Sequence, residues 1–502
     1  MNIRQAKEAV RDTIRAYLSR DDSGHFLIPV ERQRPLLLIG PPGIGKTAIM
    51  EQVARECGIG LVSYTITHHT RQSAIGLPVV SEREYDGHPM RVTEYTMSEI
   101  IASIYDEIER TGLREGILFL DEINCVSETL MPTMLQFLQY KTFGTHRVPE
   151  GYIIVTAGNP PRYNRSVRDF DIVTLDRVRR IEITEDLEVW REYAYDCGIH
   201  GAIMAYLEIH PDRFYSIHAD MDGMRFVTAR GWEDLSRLML VHERKGLPVD
   251  RELMLQFLQD GDIAEDFATY YGLYGHYSEL FCVADILSGA IIQGDEELTT
   301  APFDEKLSLL GLLTDALAVR FRTYVCERTI QEKVLSVLQR VSGRLRDGDA
   351  TVRDILEEEL SDLRADTLHK EKTGRYSPQD IRVMYSVQEA LKYLSGELNE
   401  KAPAPDRASE QAFLREWFSD REKDRQQACD VTGEALTNAF TYLARTFGEG
   451  QELVLFLTEL GRDADALRFV HEHGNEAYEH YNELLLLGDR RRALQAEALA
   501  LL

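Results

Sequence analysis

The strongest chemical signal in the chain is the run Gly40-Pro41-Pro42-Gly43-Ile44-Gly45-Lys46-Thr47, followed by Ala48. Glycines let backbone N–H groups curl around a phosphate without a Cβ in the way, and a helix opening at the end of the run adds partial positive charge. Lys46 offers a point charge to the β- and γ-phosphates of a nucleoside triphosphate, and the Thr47 hydroxyl suits magnesium. A plain glycine-rich turn is the competing explanation. It does not account for Lys-Thr placed between an apolar run and a helical pattern. Gly40 through Ala48 are therefore the candidate ATP-binding residues.

A second constellation is Ile117-Leu118-Phe119-Leu120-Asp121-Glu122. Four apolar residues make a buried strand, and its C-terminal end presents two carboxylates. Asp121 is placed to act on the magnesium shell and Glu122 to polarise an attacking water as general base. Alone the pattern is common; downstream of a phosphate loop it gains force. Tyr152–Asn159 is a third strand pattern, ending in an amide that can donate and accept at once, so Asn159 is a candidate to hold the water and the γ-phosphate.

Two arginine positions follow. Asp176-Arg177-Val178-Arg179-Arg180 clusters cations in an acidic chain. One reading is an arginine reaching the γ-phosphate in a neighbouring subunit, with Arg177 ahead of Arg179 and Arg180. The other is local pairing with Asp169, Asp171 and Asp176. Arg230, at the start of a helical pattern in Thr228–Leu235, is either a phosphate contact or a surface side chain. His68 and His69 are adjacent, so they point in different directions and chelate poorly.

The elements that must position these groups are legible by period. Apolar runs at Leu36–Ile39, Gly60–Ile66, Ile117–Leu120 and Tyr152–Thr156 read as buried parallel strands. Helical spacing lies between them, as in Ala48–Glu56 and Met97–Arg110, so an α/β layered domain is expected. From about Asp186 the β signals fade. Helical spacing then covers Val227–Glu243, Glu305–Leu345, Gln379–Leu398, Glu410–Phe447 and Glu452–Leu460. Linkers are expected at Gly343–Ala350, Lys370–Pro378 and Lys401–Ala408, and Glu357–Glu359 reads as a solvated helix face. The division expected is a nucleotide-binding domain over 1–185, a helical lid over 186–250 and a helical region over 251–502.

At 502 residues the chain has room for two to four domains. Its net charge of −27 repels a polyphosphate backbone, which argues against nucleic acid as the main partner. The six cysteines form no CxxC pair, which fits reduced thiols in the cytoplasm. The first residues, MNIRQAKEAVRDTIRAYL, are amphipathic and lack the apolar core of a signal peptide. No stretch reaches the roughly 18 apolar residues that span a bilayer.

Taken together, the phosphate loop, the Asp121-Glu122 strand, the Asn159 strand and the positions of Arg177 and Arg230 resemble an AAA+ ATPase. Within that class the chain resembles the MoxR family. Thr70–Pro78, TRQSAIGLP, is similar to the family's hairpin-bearing segment after the second strand. Leu175-Asp176-Arg177 is similar to its Leu-Asp-Arg-Phe finger segment, with Val178 in place of the aromatic residue. Arg230 falls where the family carries its sensor 2 arginine. Phe447–Leu485 resembles the tail of bacterial relatives found beside von Willebrand factor A proteins. The resemblance implies an α/β P-loop NTPase with a helical lid and a mostly helical C-terminal region. It implies ATP and Mg2+, and a ring, usually a hexamer, that remodels or matures a partner carrying a von Willebrand factor A domain. A nucleic-acid-associated AAA+ motor is the alternative.

Overall fold

The apolar runs pair as parallel strands because both of their faces find a helical cover. The computed structural model describes residues 1–66, 74, 76–85, 88–127, 129–143, 145–163, 170, 172–219, 223–280, 283–291, 296–347, 351–373, 376–401 and 407–484. In chain order the first elements are α1 (Ile3–Leu18), β1 (Leu36–Ile39), α2 (Lys46–Cys57), β2 (Gly60–Thr65), β3 (Pro78–Tyr85), β4 (His88–Tyr95) and α3 (Glu99–Thr111). They continue with β5 (Gly116–Asp121), α4 (Met131–Tyr140), β6 (Thr142–Phe143), β7 (His146–Arg147), β8 (Tyr152–Gly158), α5 (Ile172–Leu175) and β9 (Arg179–Glu182). Five of the strands make one parallel sheet in the order β2-β5-β8-β1-β9.

Period-two alternation splits the strand side chains between two cores. Leu36, Leu38, Ile117, Phe119, Ile153 and Val155 face Val10 and Ile14 of α1 and Ile49, Met50 and Val53 of α2. Leu37, Leu118, Leu120 and Ile154 face Ile100, Ile101 and Ile104 of α3 and Met134 and Phe137 of α4. Each fully buried side chain of this size contributes about 1.5–3 kcal/mol. The two-faced burial is why the strands read as unbroken apolar runs. β3 and β4 form a separate antiparallel ribbon beyond β2. Of Thr70–Pro78, only Ala74 and residues 76–78 belong to the described residues.

Contact density divides the chain into two units. The first comprises Met1–Val189, Thr228–Arg230 and Lys372–Tyr376, and the second comprises the remainder. The later elements are α6 (Leu187–Cys197), α7 (Gly201–Ile209), β10 (Ser216–Ala219), β11 (Met224–Val227), α8 (Ala229–Lys245), α9 (Arg251–Phe257), α10 (Gly261–Leu280), α11 (Val283–Leu287) and α12 (Glu296–Thr300). There follow α13 (Phe303–Asp347), α14 (Val352–Thr373), α15 (Pro378–Lys401), α16 (Arg407–Phe447), α17 (Gln451–Leu460) and α18 (Ala464–His473). Val334, Val337 and Val341 of α13 pack with Ile355 and Leu356 of α14, Val387, Leu391 and Leu394 of α15, and Trp417 of α16. Tyr206, Trp232 and Phe267 make a second, aromatic core, with ring centroids 5.1–5.8 Å apart.

Three expectations need correction, and one strand was not expected. β signals do not end at Asp186, because β10 and β11 pair as an antiparallel hairpin. Arg179 and Arg180 belong to β9, a fifth strand of the main sheet. Among the described residues the expected linkers are mostly helix: α13 runs through Gly343 to Asp347, α14 to Thr373 and α15 to Lys401. The three-carboxylate run of α14 is solvated only in part. Glu357 and Glu358 are exposed, whereas Glu359 is 9% exposed and accepts from Arg340 at 2.9 Å.

Candidate functional site

The site sits where the sheet runs out. β1 ends at Ile39 and the chain turns through Gly40–Gly45 into α2. Gly43 and Gly45 have φ of +71° and +93°, left-handed values that a side chain resists. Gly45 is the N-cap of α2, so the helix's first N–H groups open toward the loop. Crowding adds a second demand for glycine, since a Cβ on Gly43 would lie 2.9 Å from Thr228 Oγ1.

Lys46 is 9% exposed and folds back under the loop. Its Nζ donates to Gly40 O at 2.8 Å, Pro41 O at 2.7 Å and Asn159 Oδ1 at 2.9 Å. Burial pushes the ammonium down to about 8 against the pull of Asp121; Arg230 adds to the fall and Glu122 opposes it. Thr47 Oγ1 donates to Asp121 Oδ2 at 3.1 Å. These two oxygens from different elements meet at one point, the oxygen-only chemistry that a magnesium ion selects. Among the described residues no cluster of three or more His, Cys, Asp or Glu offers a metal site elsewhere.

Asp121 closes β5. Glu122 then adopts φ of +56°, a strained value for a side chain that costs on the order of 1–3 kcal/mol. Its N–H is held by Asp121 Oδ1 at 2.9 Å.

β8 ends at Gly158, so Asn159 leaves the sheet beside the loop. Gly40 N–H donates to Gly158 O at 3.3 Å, which ties the start of the phosphate loop to this strand end.

The structure brings Gly40–Ala48, Asp121, Glu122 and Asn159 to one edge of the sheet, with Arg230 beside the loop and near enough for its charge to act on Lys46; Arg177, Arg179 and Arg180 are not brought into contact with them among the described residues. Arg230 is exposed; its backbone N–H donates to Gly43 O at 3.2 Å, so the start of α8 touches the loop through backbone. Arg177 is exposed beyond α5, and among the described residues its guanidinium has no partner. Arg179 donates to Thr13 Oγ1 at 2.6 Å and Arg180 pairs with Glu182 at 2.5 Å. Val178, where the resembling family has an aromatic residue, is 5% exposed in the core. Asp169, Asp171, His68 and His69 lie outside the described residues.

Sequence reasoning missed Asn124 and Gly158. Asn124 is 2% exposed and its Nδ2 donates to Asn159 O at 2.7 Å. The available signal was an amide two residues after Asp121-Glu122, inside an otherwise apolar stretch.

A parallel sheet with a glycine-rich loop after an interior strand, a buried lysine under that loop, and carboxylates on the next strand but one has the architecture of a P-loop nucleotide hydrolase. More particularly, residues 36–175 match the model of the family described as ATPase family associated with various cellular activities (AAA). This part of the chain is thus similar to an AAA ATPase domain. No curated protein matches the chain.

Proposed function

We propose that the chain is the subunit of an oligomeric AAA+ ring of MoxR type, in which ATP hydrolysis drives remodelling or maturation of a partner protein. The observation that carries the reading is the convergence of two hydrogen-bonded pairs at the sheet edge, Lys46 with Asn159 and Thr47 with Asp121. Gly40–Ala48 cradle the phosphates, and Lys46 exchanges its carbonyl partners for phosphate oxygens. Thr47 and Asp121 would hold Mg2+, which would supply positive charge to the phosphates. Glu122 takes the proton of the attacking water, and Asn159 orients that water.

Arg177 acts on a neighbouring subunit's ATP. Its exposure supports this role, as do the engagements of Arg179 with Thr13 and of Arg180 with Glu182. Arg230 serves as the second sensor on a lid over 186–250, with 1–185 binding nucleotide and 251–502 recruiting the partner. A hexamer and a von Willebrand factor A partner come from the family resemblance. A cytoplasmic location accords with the five free cysteines among the described residues. No described helix is long and apolar enough to cross a membrane.

Subunit mixing tests the reading. Arg177→Ala alone should lower turnover by ~10³-fold or more while ATP still binds. Mixed with Lys46→Ala subunits, it should regain part of the activity, because some interfaces then pair an intact loop with an intact arginine. Wild-type turnover in Arg177→Ala, or no recovery on mixing, would remove the trans assignment. Stimulation of turnover by DNA, rather than by an unfolded protein or a von Willebrand factor A domain, would redirect the reading to a nucleic-acid motor.

A further inference from the structure

Asn124 lies in the short 3-10 turn Ile123–Cys125 that follows Glu122. The ladder between β5 and β8 makes its last pair at Leu120↔Thr156. Beyond that rung, Glu122 departs from one strand and Asn159 from the other, and no backbone pairing holds them in register. The Asn124 amide spans this gap. It donates through Nδ2 to Asn159 O at 2.7 Å while Asn159 Oδ1 receives Lys46 Nζ at 2.9 Å. Asn159 is thereby fixed at its backbone by the turn that carries Glu122 and at its side chain by the phosphate loop.

The fit around Asn124 is close. Its Oδ1 is buried and accepts no hydrogen bond from the described residues. Flipping the amide would turn that oxygen toward the Asn159 carbonyl, so the donor contact dictates the orientation. A Cβ on Gly158 would fall 2.5 Å from Asn124 Oδ1, and that position is glycine without a left-handed φ to require it. Gly158 O also receives the Gly40 N–H, so the same strand end is held from the loop side. A buried amide with an unpaired oxygen is a poor choice for stability alone. It is a good choice for setting the distance between two groups that must act on one water.

We propose that Asn124 is a positioning residue for hydrolysis, a side-chain rung that locks Asn159 and the Glu122 turn in register. The proposal rests on the ATPase reading above. Wild-type protein that fails to release phosphate from Mg·ATP would sink that reading, whereas the Asn124 proposal is decided by comparing variants of an active enzyme. Asn124→Ala removes the rung. Asn124→Asp keeps its shape but, when ionised, lacks the donor, and it serves if the alanine variant does not fold. Each should lower kcat by roughly 100-fold, the scale of a small misplacement of reacting groups. The Kd for ATP should stay within about threefold of wild type, because the loop is untouched. Gly158→Ala, which pushes on the Asn124 amide, should share the phenotype. Asn124→Ala combined with Asn159→Ala should be no slower than Asn159→Ala alone, since the first change acts through the second residue. A kcat within about threefold of wild type in the folded Asn124 variants would overturn the proposal, as would losses that multiply in the double variant or fall on Kd.

Discussion

At the scale of single residues the account assigns separate work to neighbouring groups. Under the proposed function, Lys46 would carry charge to the phosphates in the bound state as well as during reaction, whereas Asn159 would matter chiefly for the water. Lys46→Ala should therefore weaken ATP binding by roughly 10- to 100-fold, the worth of a charged hydrogen bond of ~1.5–3 kcal/mol. Asn159→Ala should bind ATP nearly as wild type and lose turnover. Titration with a fluorescent ATP analogue alongside steady-state assays separates the two; equal binding losses in both variants would contradict the division. The loop and the Asp121-Glu122 pair were legible in the sequence because their chemistry demands fixed residue types at fixed spacing. Asn124 was not, because its role follows from where a strand ladder stops, which no local pattern records. The partners of Arg179 and Arg180 also needed three dimensions. Period and spacing say nothing of Thr13, which engages Arg179 from 166 residues away.

At the scale of elements, long helices and fully buried strands showed themselves through period. The spacing over Glu305–Leu345 corresponds to α13, and that over Gln379–Leu398 to α15. β9 escaped notice because Arg-Arg-Ile-Glu at a sheet edge buries only Ile181, leaving no apolar run to see. β10 and β11 are four residues each, too short for alternation to stand out. Glu359 looked solvated because its partners Arg340 and Arg344 come from another helix. The packing of α13 against the start of α7 carries its own test. Asp315 of α13 receives the Tyr274 hydroxyl at 2.9 Å and crowds Gly201. Burial pushes its carboxyl up to about 6, against the pull of His200 and the Tyr274 hydrogen bond. A carboxyl whose folded value exceeds the ordinary 3.8 holds its proton more tightly in the folded state, so ionising it costs stability. That cost is absent below about pH 4, grows between about 4 and 6, and is fully present above 6. Asp315→Asn should consequently stabilise the protein at pH 7.5, by on the order of 1–3 kcal/mol, and lose its advantage near pH 4. Urea unfolding at both values checks this; an asparagine variant less stable at pH 7.5 than at pH 4, relative to wild type, would refute it.

At the scale of the whole molecule, the charge of −27 gives a surface whose average field repels a polyphosphate backbone. An exposed arginine with no partner among the described residues suits an assembly in which one subunit completes the next. Specific ATPase activity should then fall on dilution, tracking the loss of assembled species in sedimentation. Constant specific activity down to a sedimenting monomer would leave no place for a finger in trans. Beneath assembly and partner lies the claim that this sheet edge hydrolyses ATP with Glu122 as the base. Phosphate release from Mg·ATP, measured for wild type and Glu122→Gln side by side at a concentration where the protein is assembled, tests it most directly. Wild type should release phosphate steadily, and release should stop when EDTA removes magnesium. The rate should be lower by at least ~100-fold in Glu122→Gln while ATP remains bound. Absence of release by wild type, or an equal rate in Glu122→Gln, would contradict the claim.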